Sequence, residues 1–179
     1  MTKLFFLIFL LPLVLLGQSN KTEAINAFEE IIKCYYDKDC NKYYSFWADS
    51  VSTLNKDTNF KYPSSRLISN KKSNCSHFNQ VIKETKTYEN YLANFDIEAV
   101  TYSEFKNQDR KKLVEKYEAK KSNAGWTLGF ITLFNKYYMP NDVLVIGDIP
   151  KDGSKYIGLP YVYLLRKTNK GWKIIGVQY

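Results

Sequence analysis

Apolar residues return every three or four positions through the first half of this chain, and alternate or run together through the second half. That change of rhythm predicts helices first and strands afterwards. Residues 22–36 carry Ile25, Phe28, Ile31/Ile32 and Tyr35/Tyr36 on one helical stripe, with Glu29, Glu30 and Lys33 elsewhere. Asn20 and Glu23 have capping-box spacing at its start. The turn Asp37–Asp39 stops this helix, and Asp39 can cap a second one, Cys40–Ala48. Residues 50–54 suit a short strand; residues 55–74 are polar, contain Pro63, show no period and read as a long surface loop. Phe78, Val81/Ile82, Thr85, Tyr88, Tyr91/Leu92 and Phe95 predict a third helix over 77–95.

Beyond it, Ile97–Phe105, Lys111–Lys121, Trp126–Phe134, Val143–Ile146, Tyr156–Arg166 and Trp172–Tyr179 are the expected strands. The segment Lys111–Lys121 also fits a helix through Leu113, Val114 and Tyr117. Val143–Ile146 is apolar throughout, as in a strand covered on both faces, and Gly147 and Pro150 are expected to stop it. Thr168–Gly171 reads as a tight hairpin loop. Helices followed by antiparallel strands define an α+β domain over residues 20–179, with a meander as the simplest topology. A strongly curved sheet wrapped round the third helix would bury Tyr88, Leu92 and Phe95.

Ahead of this domain stands a different pattern: Leu4–Leu16, 13 apolar residues counting Pro12, with Lys3 before and Gly17–Ser19 after. A spanning helix needs about 20 apolar residues, so the block reads as a signal peptide over 1–19, cut after Ser19. The expected location is periplasmic or secreted, with no permanent membrane anchor. Export makes disulfides possible for Cys34, Cys40 and Cys75. A Cys34–Cys40 staple across the helical turn is one choice; pairing of either with Cys75, or buried free thiols, are others. No CxxC occurs and there is one histidine, so a structural zinc site is not expected.

The formal charge is +8, with cations gathered in Lys56–Lys72, Lys106–Lys121 and Arg166–Lys173. Such a diffuse excess serves solubility, or attraction to an anionic lipid or polysaccharide; export argues against nucleic acid as partner. There is no P-loop, GxGxxG, GxSxG or HExxH, and no cofactor is expected.

Two segments carry a family resemblance. The opening hairpin AINAFEEIIKCYYDKDCNKYYSFWADSV and the closing hairpin YVYLLRKTNKGWKIIGVQY resemble the ends of NTF2-like domains, the cystatin-like α+β cone that includes SnoaL-like proteins. The resemblance implies a conical pocket between helices and sheet. It also implies isomerases, dehydratases and polyketide cyclases among the members, beside many non-catalytic binding or assembly domains, so it does not assign a function. Its enzymes place an Asp or His base inside the cone, often with a Tyr or Asp donor, and no local motif carries those positions over to this chain.

Candidate bases are therefore chosen by chemistry. They are His77, the single imidazole; Asp148, after the apolar run; and Asp49, after the second helix. Each has a plain reading: helix capping for His77, a turn before Pro150 for Asp148, a helix end for Asp49. Trp47, Tyr102, Trp126, Phe130 and Tyr163 are the aromatic residues expected nearest a cone, able to hold an apolar or sugar-like ligand, or simply to fill the core. The function expected is non-catalytic binding of a small ligand or protein partner. The alternatives are a small isomerase or dehydratase and a binder of anionic polymers. A homodimer through the outer sheet face is also compatible with the pattern.

Overall fold

The computed structural model describes residues 20–53, 61–63, 87–107, 110–124, 138–154 and 161–178. The leader 1–19, His77, Cys75, the strand expected over Trp126–Phe134, and the start of the one expected from Tyr156 lie outside these residues.

Helix α1 covers residues 20–36 and turns Ala24, Ala27, Phe28, Ile31 and Ile32 inward, the stripe that its periodicity predicts. Asn20 is itself helical, and the Glu23 carboxylate accepts from Lys167 Nζ at 2.5 Å. The chain leaves α1 through Lys38 at φ +60°, with Asp39 N–H donating to Cys34 O at 2.9 Å and Lys38 N–H to Tyr35 O at 3.2 Å. This is a Schellman-type stop, with lysine where glycine is usual. Asp39 then caps α2 (Cys40–Ser45), accepting from Lys42 N–H at 3.0 Å.

Among the described residues six strands form one mixed sheet: β1 (Trp47–Thr53), β2 (Lys61–Pro63), β3 (Phe95–Thr101), β4 (Asp142–Pro150), β5 (Val162–Thr168) and β6 (Gly171–Val177). Their order is β2-β1-β6-β5-β4-β3. Strands β3 to β6 make the expected meander, but β1 returns to lie parallel to β6, so the sheet is not wholly antiparallel. β2 falls in the segment expected to be loop; its Pro63 is tolerated because β2 is an edge strand. The β5–β6 loop is two residues, Asn169 and Lys170, closed by Gly171 at φ +89°.

The middle of the chain departs further from expectation. Thr87 is extended and caps α3 (Tyr88–Asn94) through its Oγ1, so no helix runs through it from residue 77. The strand expected to reach Phe105 ends at Thr101, and helix α4 (Tyr102–Asn107) follows. Lys111–Lys121 is not a strand: α5 (Arg110–Ala119) buries Leu113 and Tyr117, four residues apart, on one face. β4 runs on to Pro150, so Asp148 is a buried strand residue rather than a turn residue.

These helices change the layering. One sheet face carries Val51, Val143, Val145, Tyr163, Leu165 and Ile174 and packs against α1, α2 and α3. Tyr91 is the buried anchor of α3 there, with Tyr88, Leu92 and Phe95 half-buried beside it. The other face carries Val100, Leu144, Ile146, Val162 and Leu164 and is covered by Phe105 of α4, Leu113 and Tyr117 of α5, and Tyr138. β4 is buried along its whole length because it lies between both layers.

Candidate functional site

A groove of about 320 Å³ opens where the two helical layers meet at the β3 edge. α1 contributes Lys21 and Ile25 from one side; α4 and α5 contribute Glu104, Leu113, Lys116 and Tyr117 from the other. Its floor is the run Ile97–Val100. Alternate strand residues point to opposite faces, so four consecutive lining residues place the groove on the strand's edge rather than over one face.

Two carboxylates organise its polar groups. Glu104 Oε2 accepts Thr101 N–H at 2.9 Å and Thr101 Oγ1 at 3.0 Å, while Thr101 Oγ1 accepts Glu104 N–H at 3.3 Å. This reciprocal capping box starts α4. Glu104 Oε1 accepts from Lys21 Nζ at 2.5 Å, tying α1 to the second layer. Glu98 Oε2 accepts from Lys116 Nζ at 2.8 Å and Tyr117 Oη at 3.1 Å, and Oε1 pairs with Lys120. Lys116 and Lys120 reach the same carboxylate because they stand one helical turn apart.

Burial by itself would raise the Glu98 carboxyl, but hydrogen bonds and charge from Lys116 and Lys120 prevail and hold it at about 2. Glu104 is shifted down likewise, against its burial, by Lys21 and Thr101. Tyr117 is pushed up by burial and by the Glu98 charge, so its hydroxyl keeps its proton and donates. Carboxylates this acidic make poor proton acceptors.

The expected site residues are dispersed. Asp148 is fully buried, and burial raises its carboxyl despite hydrogen bonds from Ser122 Oγ at 2.5 Å and Asn123 N–H at 3.0 Å. Ser122 Oγ also accepts Ala124 N–H at 3.0 Å, so the Asp148 carboxylate pins the turn that follows α5. Asp49 is exposed on β1. Trp47 and Tyr163 share the first core layer, linked by Tyr43: its ring lies 6.0 Å from Trp47, and its hydroxyl 3.3 Å from that of Tyr163. Trp47 Nε1 is buried with no hydrogen-bond partner. Tyr102 stands on the opposite sheet face, edge-on to Tyr138 at 5.5 Å, so the structure does not bring it together with Trp47 and Tyr163. Trp126 and Phe130 lie outside the described residues.

Cys34 is a buried free thiol, so the Cys34–Cys40 staple does not form; α1 leaves through Lys38 with its own backbone bonds closing the turn. Among the described residues no cluster of His, Cys, Asp and Glu could hold a metal ion. No helix among them is long and apolar enough to cross a membrane.

The groove was not foreseen from the sequence. A signal for part of it was present: Thr101-x-x-Glu104 is a capping-box pattern that marks a helix start inside the expected strand. No protein-family model, curated protein or solved structure matches this chain.

Proposed function

We propose that this chain is an exported, non-catalytic binding domain of the NTF2-like kind, which holds a small ligand or a partner segment in the groove between α1, β3 and α5. The observation that carries the reading is the state of the groove's charges. Glu98 and Glu104 are both locked as anions by lysines, which favours recognition over proton transfer. Asp148, whose carboxyl is raised by burial, has both oxygens engaged by Ser122 and Asn123. Support for the NTF2-like class comes from the opening helical hairpin on a meandering sheet, and from register shifts in β1–β6, β3–β4 and β5–β6, the irregularities that bend sheets. The outer sheet face, which the pattern left compatible with a homodimer, carries α4 and α5.

Thermal unfolding against a panel of lipids, sugars and peptides tests the reading. A ligand that raises Tm for the native chain, and not for Ile25→Trp, which fills the groove from a half-buried position, is the expected result. A turnover abolished by Asp148→Asn or Asp49→Asn would replace binding by catalysis. A second reading, attraction to anionic polymers, is favoured by the exposed Lys111, Lys112, Lys116 and Lys121 on and just after α5; binding through them must weaken as salt rises.

A further inference from the structure

Glu98 binds two lysines where one would keep it paired, and both sit beside a sheet edge that no described strand covers. β3 is the last strand in the sheet order, with β4 as its one strand neighbour among the described residues. Thr101 N–H points away from β4, to the Glu104 carboxylate. Backbone groups of an antiparallel strand turn alternately to one neighbour and the other, so Ala99, two residues upstream, presents its N–H and C=O to the same outer side. That side is the groove. The bulge between Asp96 and Glu98 breaks the register there, and Glu98–Thr101 is the longer uninterrupted stretch of pairing with β4.

We propose that this edge accepts an extended, acidic peptide segment of a partner protein as an added strand. The proposal rests on the binding-groove reading above and names its ligand class. Another backbone is the chemistry that matches an edge of alternating donors and acceptors, and strand addition is an established mode of peptide recognition. The walls then sort the side chains. Those turned to α1 meet Ile25, and those turned to α5 meet Leu113, Tyr117 and the lysines. The preference for acid follows from the charges: three lysines (Lys21, Lys116 and Lys120) stand against two glutamates (Glu98 and Glu104). Lys116 is the more exposed of the Glu98 pair, at 47% against 37% for Lys120, so it can turn to a peptide carboxylate while Lys120 keeps Glu98 paired.

The test uses the full chain, labelled for amide NMR, and a blocked eight-residue peptide of alternating valine and aspartate. Controls are the same peptide with alternate amides N-methylated, and one with lysine replacing aspartate. The proposal expects shifts confined to residues 97–101 and the facing helices, with protection gained at the Ala99 amide. Removing alternate peptide N–H groups should weaken binding by about tenfold or more. Lys116→Glu should weaken it similarly with an unchanged circular dichroism spectrum, and the lysine peptide should bind more weakly than the aspartate one. N-methylated and plain peptides binding equally well, or shifts centred on Tyr91 in the first core layer, would overturn it. So would a dimer of this chain, paired through β3, that the peptide does not dissociate. If a lipid or sugar occupies the groove and no peptide does, the strand proposal fails and the binding reading stands; if nothing occupies it, both fail.

Discussion

The Tyr91 hydroxyl donates to the Gly147 carbonyl at 2.7 Å, and the same ring occupies the space that a side chain at 147 would need. A Cβ there would overlap both Tyr91 Oη and Phe28 Cζ, two buried groups from α3 and α1. Gly147 is thus required by close approach of two helices to β4, not by a turn. Gly147→Ala is expected to lower stability by about 1–3 kcal/mol, as overpacked cores do, read as a fall in the urea midpoint. Tyr91→Phe should cost about 1 kcal/mol, the net value of one hydrogen bond.

Glu98 makes stability depend on acid. Its carboxyl lies at about 2 in the folded chain against 4.5 in the unfolded one, so the unfolded state binds the proton first. The stabilisation is complete above pH 4.5 and is lost as the pH falls from there toward 2. Discounted for partial exposure, it is on the order of 2 kcal/mol. Urea unfolding at stepped pH should show this slope in the native chain and not in Glu98→Gln.

Asp148 acts with the opposite sign. Its folded carboxyl is raised above 3.8, so the folded state holds its proton more tightly, and stability from this group falls as the pH rises from 3.8 through the raised value. Ser122→Ala removes a hydrogen bond to the buried carboxylate and should cost about 1–3 kcal/mol, more at pH 8 than at pH 4. Equal losses at both pH values would show that the charged form does not depend on Ser122.

Asp142 is 1% exposed and holds Arg166 through two bonds, Oδ1 to Nε at 2.7 Å and Oδ2 to Nη2 at 2.8 Å. Its Oδ2 also accepts Met139 N–H at 2.8 Å, closing the entry to β4. Removing Arg166 leaves a buried charge without its partner. Arg166→Met should destabilise by about 3–5 kcal/mol, and Asp142→Asn with Arg166→Met should recover part of that loss in a double-mutant cycle.

Cys34 is buried, and burial pushes its thiol up, with nearby Lys42 only partly opposing. Its inaccessibility and its raised thiol both slow thiolate chemistry. Iodoacetamide should modify Cys34 in the unfolded chain and leave it unmodified in the folded one at pH 8, as peptide mass mapping would show.

Local pattern determined much of this protein. The stripe from Ala24 to Ile32 dictated α1, Asp39 dictated the start of α2, the apolar run Val143–Ile146 dictated a strand buried on both faces, and Thr168–Gly171 dictated a hairpin. For α1, α2 and the hairpin the deciding interaction joins residues a few positions apart. Tertiary structure decided the rest. Leu113 and Tyr117 satisfy either period, and α5 is helical because that arrangement covers Leu144, Ile146 and Leu164. Asp148 looks like a turn residue until Ser122 and Asn123 meet it from 26 and 25 residues away. The groove, too, is assembled from Lys21, the β3 edge and α5. Its parts are distant in sequence, and only the stacking of two helical layers about one sheet edge sets them side by side.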